Sequence, residues 1–195
     1  MLTRNQDCGR MARFLLVGSG AREHAIAESA CRNGEVRLFA FMSANTPGIV
    51  ALCKKSGGVA EAGDVHSPGQ VLKFAKKHAP DLAFPSPDAV LAAGVTDALA
   101  AYGVPCAAPT REAARLEWDK SYCRELLKDY KVPGQPKFGI FDNAADASSF
   151  IDSLPGGVAV KPSGLTATSP ERESMKEKAS AALSNIPNFG WPCTL

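Results

Sequence analysis

The strongest constraint on this chain is a short apolar run, Phe14 to Val17, that stops at Gly18-Ser19-Gly20 and passes directly into helix-patterned sequence. With Arg13 before it, the segment Arg13 to Val17 reads as a buried strand. After the glycines, Arg22 to Arg32 repeats small and apolar residues at helical spacing (Ala25, Ile26, Ser29, Ala30) and stops at Asn33-Gly34, a C-terminal helix signal. Val36 to Phe41 reads as a second strand, followed by a Gly/Ser-rich loop. Ser67-Pro68 supplies an N-cap and first helical residue for a helix with Val71, Leu72, Phe74 and Ala75 inward, ending at Ala79-Pro80. Asp81 to Phe84 reads as a third strand, Asp88 to Tyr102 as a helix closed by Gly103, and Val104 to Ala107 as a fourth strand. This alternation predicts an α/β fold, Rossmann-like, with a parallel sheet, over residues 11–108.

Past Pro109 the texture changes. Thr110 caps a long charged helix from Arg111 to about Tyr130, and Val132-Pro133-Gly134 breaks it. Lys137 to Phe141 reads as a strand, Asn143 to Ser153 as a helix capped by Asp142, and Val158 to Lys161 as a further strand. These elements form the start of a second module, residues 109–166. From 167 to 195 the sequence is rich in Ser, Pro, Glu and Lys, and is expected to be disordered, with no strand pattern. Residues 1–10 are polar, lack the apolar core of a secretory signal, and read as an extension before Met11.

Composition narrows the function. Twenty-two basic residues against 20 acidic ones leave a charge of +2, without the basic stripe of a nucleic-acid binder. Neither Phe14 to Val17 nor Ala89 to Val95 approaches the roughly 20 apolar residues of a membrane span. The six cysteines (8, 31, 53, 106, 123 and 193) are far apart, with no C-x-x-C pair, and read as reduced thiols of a cytoplasmic protein rather than zinc ligands.

The loop Gly18-Ser19-Gly20-Ala21-Arg22-Glu23-His24 joins a strand to a helix, where free N–H groups and the positive end of the helix dipole suit an anion. A dinucleotide fingerprint would need Gly at position 23 and an acid at the end of the second strand, and neither is present. A nicotinamide-cofactor reductase is therefore disfavoured. Two lysines also stand out. Lys161 ends an apolar strand, where a lysine suggests an anionic partner, whereas Lys120 also fits a surface pair with Glu117. His24 reads as support for the glycine loop, and Asp88 as either a helix N-cap or a ligand contact. His66 reads as a loop residue and His78 as a helix-end residue favoured by the dipole.

Four ordered segments together resemble phosphoribosylamine-glycine ligase (glycinamide ribonucleotide synthetase). They are Gly18-Ser-Gly-Ala-Arg-Glu-His-Ala-Ile-Ala, Pro85-Ser-Pro-Asp-Ala-Val-Leu-Ala-Ala-Gly, Ala108-Pro-Thr-Arg-Glu-Ala-Ala-Arg-Leu-Glu-Trp-Asp-Lys and Gly157-Val-Ala-Val-Lys-Pro-Ser-Gly-Leu-Thr. The resemblance covers residues 11 to about 166. It implies a Rossmann-like N-terminal domain followed by an ATP-grasp domain, and ATP-dependent amide formation between glycine and 5-phosphoribosylamine through glycyl phosphate. On this resemblance Gly18, Gly20, Arg22, Glu23 and His24 hold the substrate phosphate, Asp88 lies near the sugar and amine, and Lys120 and Lys161 contact ATP. The implied cofactors are ATP and Mg2+ or Mn2+, and no residue of this chain is implied as a catalytic nucleophile or metal ligand.

The resemblance stops after Thr166, where the family's glycine-rich G-G-K-G-V loop gives way to Ala167-Thr168-Ser169-Pro170. That loss implies that this polypeptide alone does not form glycinamide ribonucleotide, and that a complementing C-terminal chain is a candidate partner. The alternative is a non-catalytic module that binds a phosphorylated ligand.

Overall fold

A computed structural model describes residues 10–155, 158–165 and 193–194. The chain divides after Ala114 into two compact units. The first is built on β1 (Ala12–Val17), β2 (Val36–Met42), β3 (Ala60–Ala62) and β4 (Leu82–Pro85), all parallel, in the order β3-β2-β1-β4. Its helices are α1 (Ala21–Cys31), α2 (Pro47–Lys55), α3 (Pro68–His78), α4 (Asp88–Ala92) and α5 (Val95–Ala101), and α6 (Arg111–Trp118) follows.

The apolar run explains the layering. Successive strand side chains point to opposite faces, so Leu15 and Val17 go one way and Phe14 and Leu16 the other. Leu15 and Val17 join Phe39, Phe41, Val71, Phe74 and Leu99 in one buried cluster, under α3 and α5. Phe14 and Leu16 join Leu38, Met42, Ile49 and Cys53 in a second, under α1 and α2. Each fully buried Leu or Val contributes about 1.5–3 kcal/mol. β1 is thus fixed in the centre of the sheet with its C-terminal end at Gly18.

Where the structure departs from sequence expectation, local chemistry supplies the reason. The Gly/Ser-rich loop after β2 contains α2 and β3: Pro47 sits at the first helical position after Thr46, and Ile49 and Cys53 bury one side. The expected helix 88–102 is two helices, because Gly94 adopts φ 80°, a left-handed conformation that ends α4. The fourth strand is reduced to one bridge between Ala83 and Cys106, Pro105 having no N–H to extend it. Ser67 does cap α3, accepting the Gln70 N–H.

The second unit holds α7 (Lys120–Asp129), β5 (Ile140–Phe141), α8 (Ala144–Asp152), β6 (Lys161–Pro162) and β7 (Cys193–Thr194). The expected single helix 111–130 breaks at Asp119, which turns extended and caps α7 by accepting the Tyr122 N–H at 3.0 Å. Asn143 rather than Asp142 caps α8, since its side chain is the one that reaches the Asp146 N–H. Of the expected strand 158–161 only Lys161 is paired, with Pro162, because it reaches β7 there. β5, β7 and β6 form an antiparallel sheet in that order. The tail was expected to contain no strand, yet Cys193–Thr194 forms β7, too short a pairing to leave a sequence pattern. The rest of that tail, and residues 1–9, lie outside the described residues. Ala147, Ile151 and Val160, with Phe141 and Phe150, make this unit's core.

Candidate functional site

Parallel α/β sheets place ligands beyond the carboxyl ends of their strands, at the point where successive connections run in opposite directions. In this sheet β2 lies on one side of β1 and β4 on the other, so that point is the gap between the turn after β1 and the turn after β4. Gly18 to Gly20 form the first turn, and Ser86 and Pro87 the second. Gly18 N–H donates to Phe41 O at 3.0 Å, and Ser86 N–H to Val17 O at 3.2 Å, tying both turns to the sheet.

Glu23 lies between them, only 3% exposed. One carboxylate oxygen accepts the Gly20 N–H at 2.6 Å, and the other accepts the Ser86 hydroxyl at 2.5 Å. Gly18 must be glycine here: it has φ 133°, and a Cβ on it would lie 2.8 Å from Glu23 Cγ and 3.0 Å from Pro87 Cδ. The Arg22 guanidinium is largely exposed, its Nε 3.8 Å from Glu23 Oε1. With the Gly20 N–H engaged, the N–H groups of Ala21, Arg22 and Glu23, the first three of α1, have no acceptor within the helix.

Two hydroxyls, of Ser43 and Thr46, brace the same turn from beyond the end of β2. Ser19 Oγ and Ser43 Oγ are 2.7 Å apart, and the Thr46 hydroxyl donates to Ser19 O at 2.6 Å. The His24 ring packs against Gly48 in the first turn of α2, so close that a Cβ there would sit 2.3 Å from the imidazole, and its Nε2 is 3.5 Å from Glu28 Oε1. Asp88 opens α4, with Pro87 as the N-cap residue, and is half-buried. Sequence reasoning thus finds the glycine turn but not Ser43, Thr46, Gly48 or Ser86. Hydroxyl residues beside strand ends are the available signal, and they are too common to single out.

His78 ends α3, as expected, and its ring also packs onto the sheet. Its ring stacks on Phe39 and packs at a tilt against Phe74, with centroids 4.9 and 4.4 Å away. Burial, and then the neighbouring Lys77 charge, hold its pKa below the ordinary histidine value. Arg13 donates to His78 O from the end of the helix. Cys31, Cys53, Cys106 and Cys123 are free thiols, and burial pushes the Cys53 thiol up to about 12.

The second unit has a cleft of about 370 Å³ lined by Lys120, Arg124, Lys137 and Lys161, with apolar walls that include Leu116, Phe138 and Val158. No acidic residue is among its lining residues. The two lysines singled out from sequence therefore share one cleft. Lys120 is the first residue of α7, where the helix dipole disfavours a cation, and among the described residues no ion pair reaches Lys120, Lys137 or Lys161. Glu117 is thus not its partner. Among the described residues no group of three or more His, Cys, Asp or Glu could hold a metal ion, and no helix is long and apolar enough to cross a membrane.

Residues 12–117 match the family model described as phosphoribosylglycinamide synthetase, N domain, which is more than half of the chain. The chain belongs to this family. It is 46% identical over 158 residues to the phosphoribosylamine-glycine ligase of Methanopyrus kandleri, covering 80% of this chain and 34% of that protein. It is 41% identical over 156 residues to the enzyme of the same name from Pyrococcus furiosus, with 80% and 34% covered. The chain spans about a third of the length of these curated relatives. Among solved structures it is similar to phosphoribosylamine-glycine ligase from Thermotoga maritima, with TM-score 0.67, 19% identity, and coverage of 94% of this chain and 43% of that one. It is also similar to N5-carboxyaminoimidazole synthetase from Staphylococcus aureus complexed with ADP, with TM-score 0.65, 14% identity, and coverage of 95% and 46%. At these identities the structural likenesses establish the α/β fold alone.

Proposed function

We propose that this member of the phosphoribosylglycinamide synthetase family serves the reaction its relatives are named for, ATP-dependent joining of glycine to 5-phosphoribosylamine. The observation that carries the reading is the turn after β1, inside the family-matched stretch, with three helix N-terminal N–H groups and the exposed Arg22 at the sheet's switch point. The substrate phosphate sits on the N–H groups of Ala21, Arg22 and Glu23, with Arg22 as its charge partner. Gly18 and Gly20 let the backbone come close, His24 holds α1 against α2, and Asp88 faces the sugar and amine.

ATP takes the cationic cleft of the second unit, with Lys120 and Lys161 on its phosphates and the apolar walls beside its base. The chemistry needs no protein nucleophile. A glycine carboxylate oxygen bonds to the γ-phosphorus as ADP leaves. The substrate amine then bonds to the resulting acyl carbon, inorganic phosphate leaves, and the amine gives up a proton. Mg2+ or Mn2+ would enter with ATP, and no step is assigned to a metal bound by this chain. The reaction belongs in the cytoplasm, where thiols such as Cys53 stay reduced.

Calorimetric titration with ribose 5-phosphate tests the reading. The wild-type chain is expected to bind it, and R22A about tenfold more weakly, through loss of a charge-assisted hydrogen bond. Absence of heat with the wild type would overturn the assignment. ADP release that needs both glycine and 5-phosphoribosylamine would place the whole reaction on this chain, whereas binding without turnover would make it a binding module.

A further inference from the structure

Three polar groups meet in the gap between the turns: the Gly20 N–H and the Glu23 carboxylate from the end of β1 and the start of α1, and the Ser86 hydroxyl from 63 residues beyond Glu23. We infer that Ser86 is a positioning residue whose hydroxyl, through Glu23, sets the shape of the phosphate-receiving turn. The inference rests on the phosphate reading above and concerns a residue to which that reading gives no ligand contact.

The Glu23 carboxylate is buried yet keeps its charge partners few. Arg22 Nε, at 3.8 Å and on an exposed side chain, is a weak one. That leaves the Gly20 N–H on one oxygen and the Ser86 hydroxyl on the other as its close donors. A buried carboxylate that loses a donor turns toward another or draws in water. Without the Ser86 hydroxyl, rotation toward Arg22 would move Oε2 off the Gly20 N–H. The turn has little slack to absorb this, because Gly18 already packs against both Glu23 Cγ and Pro87 Cδ. Ser86 is itself fixed, since its N–H donates to Val17 O at the end of β1. The turn after β4 therefore aims the turn after β1 through one side chain, and the Ala21, Arg22 and Glu23 N–H groups are aimed with it.

The test compares S86A and S86T with the wild-type chain by titration with ribose 5-phosphate and by the amide proton shift of Gly20 in ligand-free protein. That shift reports the hydrogen bond from Gly20 to the carboxylate, and S86T and S86C separate loss of the hydroxyl donor from a change of side-chain volume. S86A is expected to bind ribose 5-phosphate about five- to tenfold more weakly and to move the Gly20 amide upfield. S86T, which keeps the hydroxyl, is expected to restore both. S86C, nearly the same volume but a weak donor, should fall between, and it serves if S86A does not fold. Unchanged affinity and an unchanged Gly20 shift in S86A or S86C, with wild-type binding intact, would overturn the inference and leave the phosphate reading standing. Failure of the wild type to bind would overturn the phosphate reading, and this inference with it.

Discussion

Substituting Gly18 by alanine should damage fold and site together, and Gly94→Ala isolates the part due to backbone conformation. Gly94 has φ 80°, and a Cβ there meets only Arg111 Cδ, at an ordinary 3.9 Å. G94A therefore carries the left-handed penalty alone, roughly 1–2 kcal/mol. Gly18 has φ 133°, further from any region open to an L-residue, which costs about 1–3 kcal/mol. Its new methyl would lie 2.8 Å from Glu23 Cγ and 3.0 Å from Pro87 Cδ, so one of the two turns must shift, adding about 1–3 kcal/mol of overpacking. G18A is thus expected to lose about 2–6 kcal/mol and G94A about 1–2 kcal/mol, read from urea unfolding of the full chain by circular dichroism. Ribose 5-phosphate titration separates them again: G94A should bind like the wild type, and G18A should lose binding because Glu23 is displaced. G18A no more destabilising than G94A, or binding as tightly, would refute the packing argument.

Three further outcomes are expected. Lys161→Ala should weaken ATP binding by about tenfold and Lys161→Arg by less, measured by calorimetry; unchanged affinity in K161A would remove Lys161 from the nucleotide role. Because the His78 pKa is lowered on folding, the unfolded chain takes up a proton first as pH falls. Stability should therefore be full above the unfolded value of about 6.5 and decline as pH drops below it, a decline that H78Q reduces and that urea unfolding at pH 8 and pH 5.5 measures. Cys53, buried with its thiol pushed up to about 12, should resist thiol reagents in the native chain, so that C53A lowers labelling only under denaturing conditions.

What was legible in the sequence follows from which interactions are local. The buried β1, the Gly18-Ser19-Gly20 turn and the Ser67 cap each depend on a few adjacent residues, and all three are found where the pattern places them. α2 was hidden because Gly48, Ile49 and Val50 weaken helix propensity, and only burial of Ile49 and Cys53 against the sheet makes that segment helical. The break at Asp119 was hidden because an aspartate inside a charged helix looks ordinary until it turns extended and caps the next one. In the site, Ser86 and Glu23 are 63 residues apart, and no period or cap connects them. Lys120 and Lys161 were singled out separately, by charge, but their shared cleft depends on how α7 and β6 pack within the second unit.

On the phosphate reading proposed above, Glu23 also favours one phosphate over a dinucleotide. In the dinucleotide fingerprint the third glycine lets helix and strand pack closely, and the turn's N–H groups are left for the pyrophosphate. Here a glutamate occupies that position, folds back into the gap and takes the Gly20 N–H for itself. On that reading the buried carboxylate beside the turn adds repulsion for each further phosphate brought near it. The end of β2 adds a second discrimination. Ser43 there is spent on Ser19, and Thr46 on Ser19 O, and residues 36–45 contain no Asp or Glu to read ribose hydroxyls as an adenosine site would require. Replacing Glu23 with glutamine keeps the shape and removes the charge. On this reasoning E23Q should narrow the preference for ribose 5-phosphate over a dinucleotide such as NAD, and an unchanged preference would show that shape alone excludes the dinucleotide.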